Sequence, residues 1–128
     1  MIQFILILVA TFIIGENKLT QDNLIFYKQD TGKTVTLAVE ETFLISLEAN
    51  PTTGFTWAVS QIDTGLVKQV GEVAYKAGSD RLGAPGIQTF TFNCIKNGNT
   101  ILKMIYHRPW ETEAAPSDTF FLSLQISD

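Results

Sequence analysis

A chain of 128 residues with thirteen acidic and nine basic side chains carries a formal charge of −4, without the basic excess that nucleic acid or an anionic membrane would attract. Apolar residues make up 45% of it and charged residues 17%, which supplies one hydrophobic core and excludes a disordered chain. Cys94 is the only cysteine, so no internal disulfide can form and stability must rest on packing.

The chain opens with MIQFILILVATFII, in which Phe4 to Ile14 is apolar apart from Thr11. Such a run is too short to cross a bilayer, which takes roughly 20 residues. It has the length of a secretory leader core, and small Gly15 precedes the polar Glu16-Asn17-Lys18. The alternative is an apolar first strand, against which the lack of period-two alternation argues. Residues 1–15 are therefore expected to be a signal peptide. That places the mature protein in the secretory pathway, lysosomal, vesicular or extracellular, with no membrane attachment after cleavage. Residues 16–31 read as a polar N-terminal arm or a leading strand, and residues 32–128 as the functional domain.

From there the pattern is β. Val35, Leu37 and Val39 alternate with polar or small neighbours, as do Phe43, Ile45 and Leu47, and then Phe55, Trp57 and Val59. Residues 67–75 form a weaker strand. Phe90, Phe92 and Cys94 alternate with Thr89, Thr91 and Asn93; Leu102, Met104 and Tyr106 follow, and Phe120, Leu122, Leu124 and Ile126 close the chain. Period-two runs put one set of side chains on a buried face. About seven short antiparallel strands in two sheets predict an all-β, immunoglobulin-like β-sandwich. Asn97-Gly98-Asn99 reads as a hairpin turn between strands at 87–96 and 100–106, and Glu40-Glu41 as a tight connection.

Catalysis finds no support in the residues. Cys94 shares a strand face with Phe90 and Phe92 and so is expected in the core, where a thiol is inert. His107, the only histidine, sits at a strand end, out of reach of an inward Cys94. One His and one Cys cannot close a metal site, no glycine-rich phosphate loop precedes a helix, and adjacent Glu40 and Glu41 point to opposite faces of a strand. The chain is therefore expected to be no enzyme, to carry no metal or cofactor, and to work by recognition.

Three connections have the composition for it. In Asn50-Pro51-Thr52-Thr53-Gly54-Phe55, the proline fixes φ, the glycine permits positive φ and two stiff threonines stand between. An ordinary turn and a presented tip both fit these residues. Gly83-Ala84-Pro85-Gly86 exposes backbone with little side-chain cover, which suits either strand addition to a partner or a plain connector. In Arg108-Pro109-Trp110, a large aromatic stands between charged residues, of the types enriched at binding hot spots. The alternative folds the Trp110 ring back over the end of the sandwich, stacked with Arg108. Alternate connections of such a sandwich cluster at one end, so the three are expected together.

Asn-Pro-Thr-Thr-Gly-Phe at 50–55 with Trp57 after it, and Arg-Pro-Trp at 108–110, in that order with a glycine-rich segment between, resemble the chagasin-type inhibitors of cysteine peptidases across roughly residues 32–127. The resemblance implies reversible, tight, competitive inhibition of papain-like cysteine peptidases by a monomer. It implies that the Thr52-Thr53 tip enters the catalytic cleft with Thr52 nearest the catalytic thiol. Arg108 and Trp110 would pack on the primed side and Gly83 to Gly86 would lie across the unprimed side. Where that family reads Gly-x-Gly-Gly, this chain has Pro85, which removes one backbone N–H and weakens the case for main-chain pairing there. A carbohydrate-binding or adhesion module on the same scaffold is the alternative reading.

Overall fold

The expected alternation places side chains as anticipated. In the computed structural model, which describes residues 24–128 apart from 80 and 82, Phe43, Ile45, Leu47, Phe90, Phe92, Cys94, Leu102, Met104, Phe120, Leu122, Leu124 and Ile126 are all buried. They fill the space between two sheets. Phe43 and Phe92 stack there with ring centroids 5.4 Å apart. Each large side chain so buried is worth about 1.5–3 kcal/mol. The expected leader at 1–15 and the beginning of the expected arm lie outside the described residues.

The strands are β1 (Leu24–Phe26), β2 (Thr34–Ala38), β3 (Thr42–Ala49), β4 (Thr56–Gln61), β5 (Val67–Gln69), β6 (Ala74–Ala77), β7 (Gly86–Cys94), β8 (Gly98–His107) and β9 (Asp118–Ser127). One sheet runs β1-β3-β7-β5, with β6 also on β7; the other runs β2-β9-β8-β4. The immunoglobulin-like sandwich thus stands, with nine strands rather than about seven.

Three details depart from the sequence reading. First, the pairing is mixed: β1 runs parallel to β3 and β2 parallel to β9. The leading segment is one path that switches sheets, crossing by a 3₁₀ turn at Lys28–Asp30. It therefore lies beside strands that run its own way, and alternation carries no information on direction. Second, residues 67–75 are two strands. Val67–Gln69 and Ala74–Ala77 both lie on β7, and the Val70 N–H still donates to the Thr91 carbonyl, while residues 71–73 bulge away at Gly71, whose φ is +70°. Third, Asn97-Gly98-Asn99 is no hairpin. Both edges of β7 are already taken, by β3 and by β5 and β6, so β8 must leave for the other sheet. Turn residues dictate that the chain reverses, not which neighbour it then finds.

These registers define two poles. At the plain pole, Thr42 pairs with Asn93 and Gly98 with Ile126. At the other, Ala49 pairs with Gly86, Thr56 with His107 and Tyr106 with Asp118. Three connections leave that second pole: residues 50–55 cross between sheets, while 78–85 and 108–117 close hairpins.

Candidate functional site

The first loop is rigid for local reasons. Pro51 starts a single 3₁₀ turn, the Thr53 N–H donates to the Asn50 carbonyl at 3.1 Å, and the Gly54 N–H donates to the Pro51 carbonyl at 2.9 Å. Gly54 ends the turn at φ +86°, a conformation that costs other residues about 1–2 kcal/mol. Pro51, Thr52 and Thr53 stand exposed at the tip. Their hydroxyls are bonded inward: Thr52 Oγ1 donates to Asn50 Oδ1 at 2.6 Å and Thr53 Oγ1 to the Asn50 carbonyl at 2.6 Å.

Below the tip lies an aromatic stack that reading by strand alternation does not reveal. Phe55 stacks on Tyr106 with centroids 5.3 Å apart, and Trp57 tilts against Tyr106 at 5.0 Å. The Tyr106 hydroxyl accepts the Asn50 N–H at 2.9 Å, so the base of the first loop hangs on β8. Trp57 is pinned at both ends: its indole N–H donates to the Glu48 carbonyl at 3.0 Å and its backbone N–H to Gln88 Oε1 at 2.9 Å. Gln88 in turn donates to Thr56 Oγ1 at 2.9 Å. Tyr106 and Gln88 read in the sequence as strand residues; the one available signal is a polar end on a side chain at the strand end nearest the loops.

The third loop turns at Arg108–Glu111, where the Glu111 N–H donates to the Arg108 carbonyl at 2.9 Å and Pro109 presets φ at the second position. That turn projects Trp110, which is 67% exposed. Its ring lies over Gly54: an ideal Cβ built there would stand 3.0 Å from Cζ2, and nearer still to Cη2. Trp110 thus leans on the first loop without being covered by it. Arg108 does not stack on Trp110. Its guanidinium carbon sits 4.4 Å from the Phe55 ring centroid, its Nε donates to the Thr53 carbonyl at 3.0 Å, and its Nη1 bonds Glu111 at 3.2 Å. Arg108 therefore braces the first loop from within the protein.

The second loop joins the same construction. Asn50 Nδ2 donates to the Gly83 carbonyl at 2.9 Å, across 33 positions of sequence. Gly83 has φ +81° and is exposed. The Ala84 N–H donates to the Arg81 carbonyl at 3.1 Å, and the Pro85 carbonyl accepts the Gly78 N–H at 3.0 Å. Pro85 is exposed and lines three shallow hollows of about 270, 280 and 280 Å³. Gly86 is different: it is buried at the start of β7, pressed by the Tyr75 hydroxyl, so its smallness serves the fold.

Of the thirteen residues singled out in the sequence, all stand at this pole. Cys94 and His107 stand at opposite poles, and burial pushes the Cys94 thiol up to about 11, with the Glu41 charge adding to it. The pole offers three loops tied together by hydrogen bonds and flanked by shallow hollows, rather than a paired Cys and His.

Known proteins are similar to this chain in sequence and fold. Residues 36–124 match a family model described as chagasin family peptidase inhibitor I42. Chagasin of Trypanosoma cruzi is 30% identical over 104 residues, which cover 78% of this chain and 94% of that protein. Amoebiasin-1 of Entamoeba histolytica is 31% identical over 108 residues, 84% of this chain and 97% of that protein. The crystal structure of a cysteine protease inhibitor from Entamoeba histolytica superposes with a TM-score of 0.72 at 26% identity, covering 80% of this chain and 94% of that one.

Proposed function

This chain belongs to the chagasin family of peptidase inhibitors, and from that premise we propose that its loop pole occludes the active-site cleft of papain-like cysteine peptidases. It is an inhibitor of such peptidases and not an enzyme. The observation that carries the loop assignment is the bonded continuity of the pole. Asn50 holds Gly83, Arg108 holds Thr53, and Trp110 rests over Gly54.

The tip of Thr52 and Thr53 enters the cleft, Trp110 packs to one side of it and Gly83 to Pro85 to the other. A tip closed by its own hydrogen bonds loses little conformational freedom on docking, which favours tight binding. A loop that crosses the nucleophile without placing a peptide carbonyl before it cannot be cut. Three loops bury on the order of 1,600 Å² in a standard inhibitor interface.

Residues 1–15 are in this reading a leader that routes the protein into the secretory pathway, to vesicles or the exterior. Mass analysis of the secreted protein tests that part; material that retains Met1 contradicts it. Titration of active papain with the purified protein, at several substrate concentrations, tests the inhibition. The expected result is a rate loss that rising substrate relieves. Full papain activity in a large molar excess of the protein overturns the reading.

A further inference from the structure

The side chain of Asn50 joins the first loop to the second and bonds the tip of the first. A carbonyl can only accept, so the atom of the Asn50 carboxamide that faces the Gly83 carbonyl must be the nitrogen. The oxygen then faces Thr52, and since that oxygen only accepts, the Thr52 hydroxyl must donate its proton to it. The same reasoning fixes the Thr53 hydroxyl, whose proton goes to the Asn50 carbonyl. Both hydroxyls of the tip therefore have their protons turned inward and their lone pairs turned outward.

Building on the reading of this pole as the inhibitory edge, we propose that Asn50 is a positioning residue with two tasks. Its Oδ1 orients the Thr52 hydroxyl so that it meets the peptidase as an acceptor, opposite a hydrogen-bond donor in the cleft. Its Nδ2 clips the second loop to the first, so that Thr52 and Gly83 reach the enzyme as one edge. Neither task is required by the turn itself. The Asn50 backbone keeps its bonds to Tyr106 Oη, to Thr53 N and to Thr53 Oγ1 whatever the side chain.

The two tasks separate by substitution. Asn50→Asp keeps an acceptor for Thr52 but sets a carboxylate oxygen against the Gly83 carbonyl, which breaks only the clip. Asn50→Ala removes both. Association and dissociation rates with active papain are measured for each, with urea midpoints alongside, and again in combination with Thr52→Val. Asn50→Asp is expected to raise the inhibition constant about tenfold through lost preorganisation, with little change in midpoint. Its penalty should add to that of Thr52→Val. The penalty of Asn50→Ala should overlap with that of Thr52→Val, because part of it acts through that hydroxyl. An Asn50→Asp protein that inhibits like the wild type, or full additivity of Asn50→Ala with Thr52→Val, overturns the proposal. A wild-type protein that leaves papain fully active removes the inhibitory reading itself, and the role of Asn50 with it.

Discussion

The indole of Trp110 fills the space that a side chain on Gly54 would need. Two constraints thus meet at one glycine: its φ of +86° closes the first loop, and its bare α-carbon seats the third. Gly71, in the bulge between β5 and β6 and away from the loop pole, is the natural control, since it has φ +70° and nothing among the described residues within 4 Å of where a Cβ would be. Both Gly54→Ala and Gly71→Ala should cost about 1–2 kcal/mol of stability from backbone strain. Only Gly54→Ala should also displace Trp110 and weaken inhibition beyond that strain. Urea unfolding and papain inhibition measured on the pair check this; equal inhibition constants for the two would mean that the contact carries no binding role.

Trp110 itself touches little of its own protein, and removing it should leave the fold intact. With 67% of its surface exposed, Trp110→Ala is expected to change stability by no more than about 0.5 kcal/mol. As a hot spot it should cost about 2 kcal/mol or more of binding, roughly a thirtyfold rise in the inhibition constant. A variant that loses stability and keeps inhibition would reverse that assignment and make Trp110 a cap on the sandwich.

For Arg108 the geometry favours bracing over contact. Its planar group stacks on Phe55 while Nε reaches the Thr53 carbonyl, a pairing of flat face and directed edge that an ammonium cannot reproduce. Arg108→Lys is therefore expected to weaken inhibition nearly as much as Arg108→Ala, about tenfold through a loosened first loop. Glu111→Gln should matter far less, because the pair at 3.2 Å is half exposed and such pairs are worth about 0–1 kcal/mol. Inhibition constants for the three variants decide it; a lysine that fully replaces Arg108 would show that charge alone is used.

What the sequence discloses, and what it withholds, follows from the range of the forces involved. The burial of Phe43, Ile45 and Leu47, or of Phe90, Phe92 and Cys94, is written in alternation because a strand's own geometry fixes the face. The closing of the first loop is equally local, since Pro51 and Gly54 act on their own backbone. Partnering is not local. Nothing near Asn97 tells that β7 already has neighbours on both edges, and nothing in Leu24 to Phe26 tells that they will run parallel to β3. The hydrogen bond from Asn50 to Gly83 and the support of Tyr106 beneath Asn50 depend on segments 33 and 56 positions away. Residue types singled out the three loops; only the assembled pole shows which side chains hold them in place.

Cys94 offers a test of the core that is independent of binding. It is wholly buried at the plain end of β7, where loss of solvation, with the Glu41 charge in support, raises its thiol from 9.0 to about 11. A raised thiol pKa means that the folded state holds its proton while the unfolded state releases it. Stability is then unaffected below about pH 9 and falls as pH rises toward 11, by up to about 2.7 kcal/mol for two pKa units. Urea midpoints measured from pH 8 to 11 should show that decline in the wild type. In Cys94→Ala the decline should shrink, whatever the substitution costs at pH 7. At neutral pH the native thiol should resist iodoacetamide and react only on unfolding. Rapid alkylation of the folded protein would place Cys94 at the surface and contradict the packing of β7 against the opposite sheet.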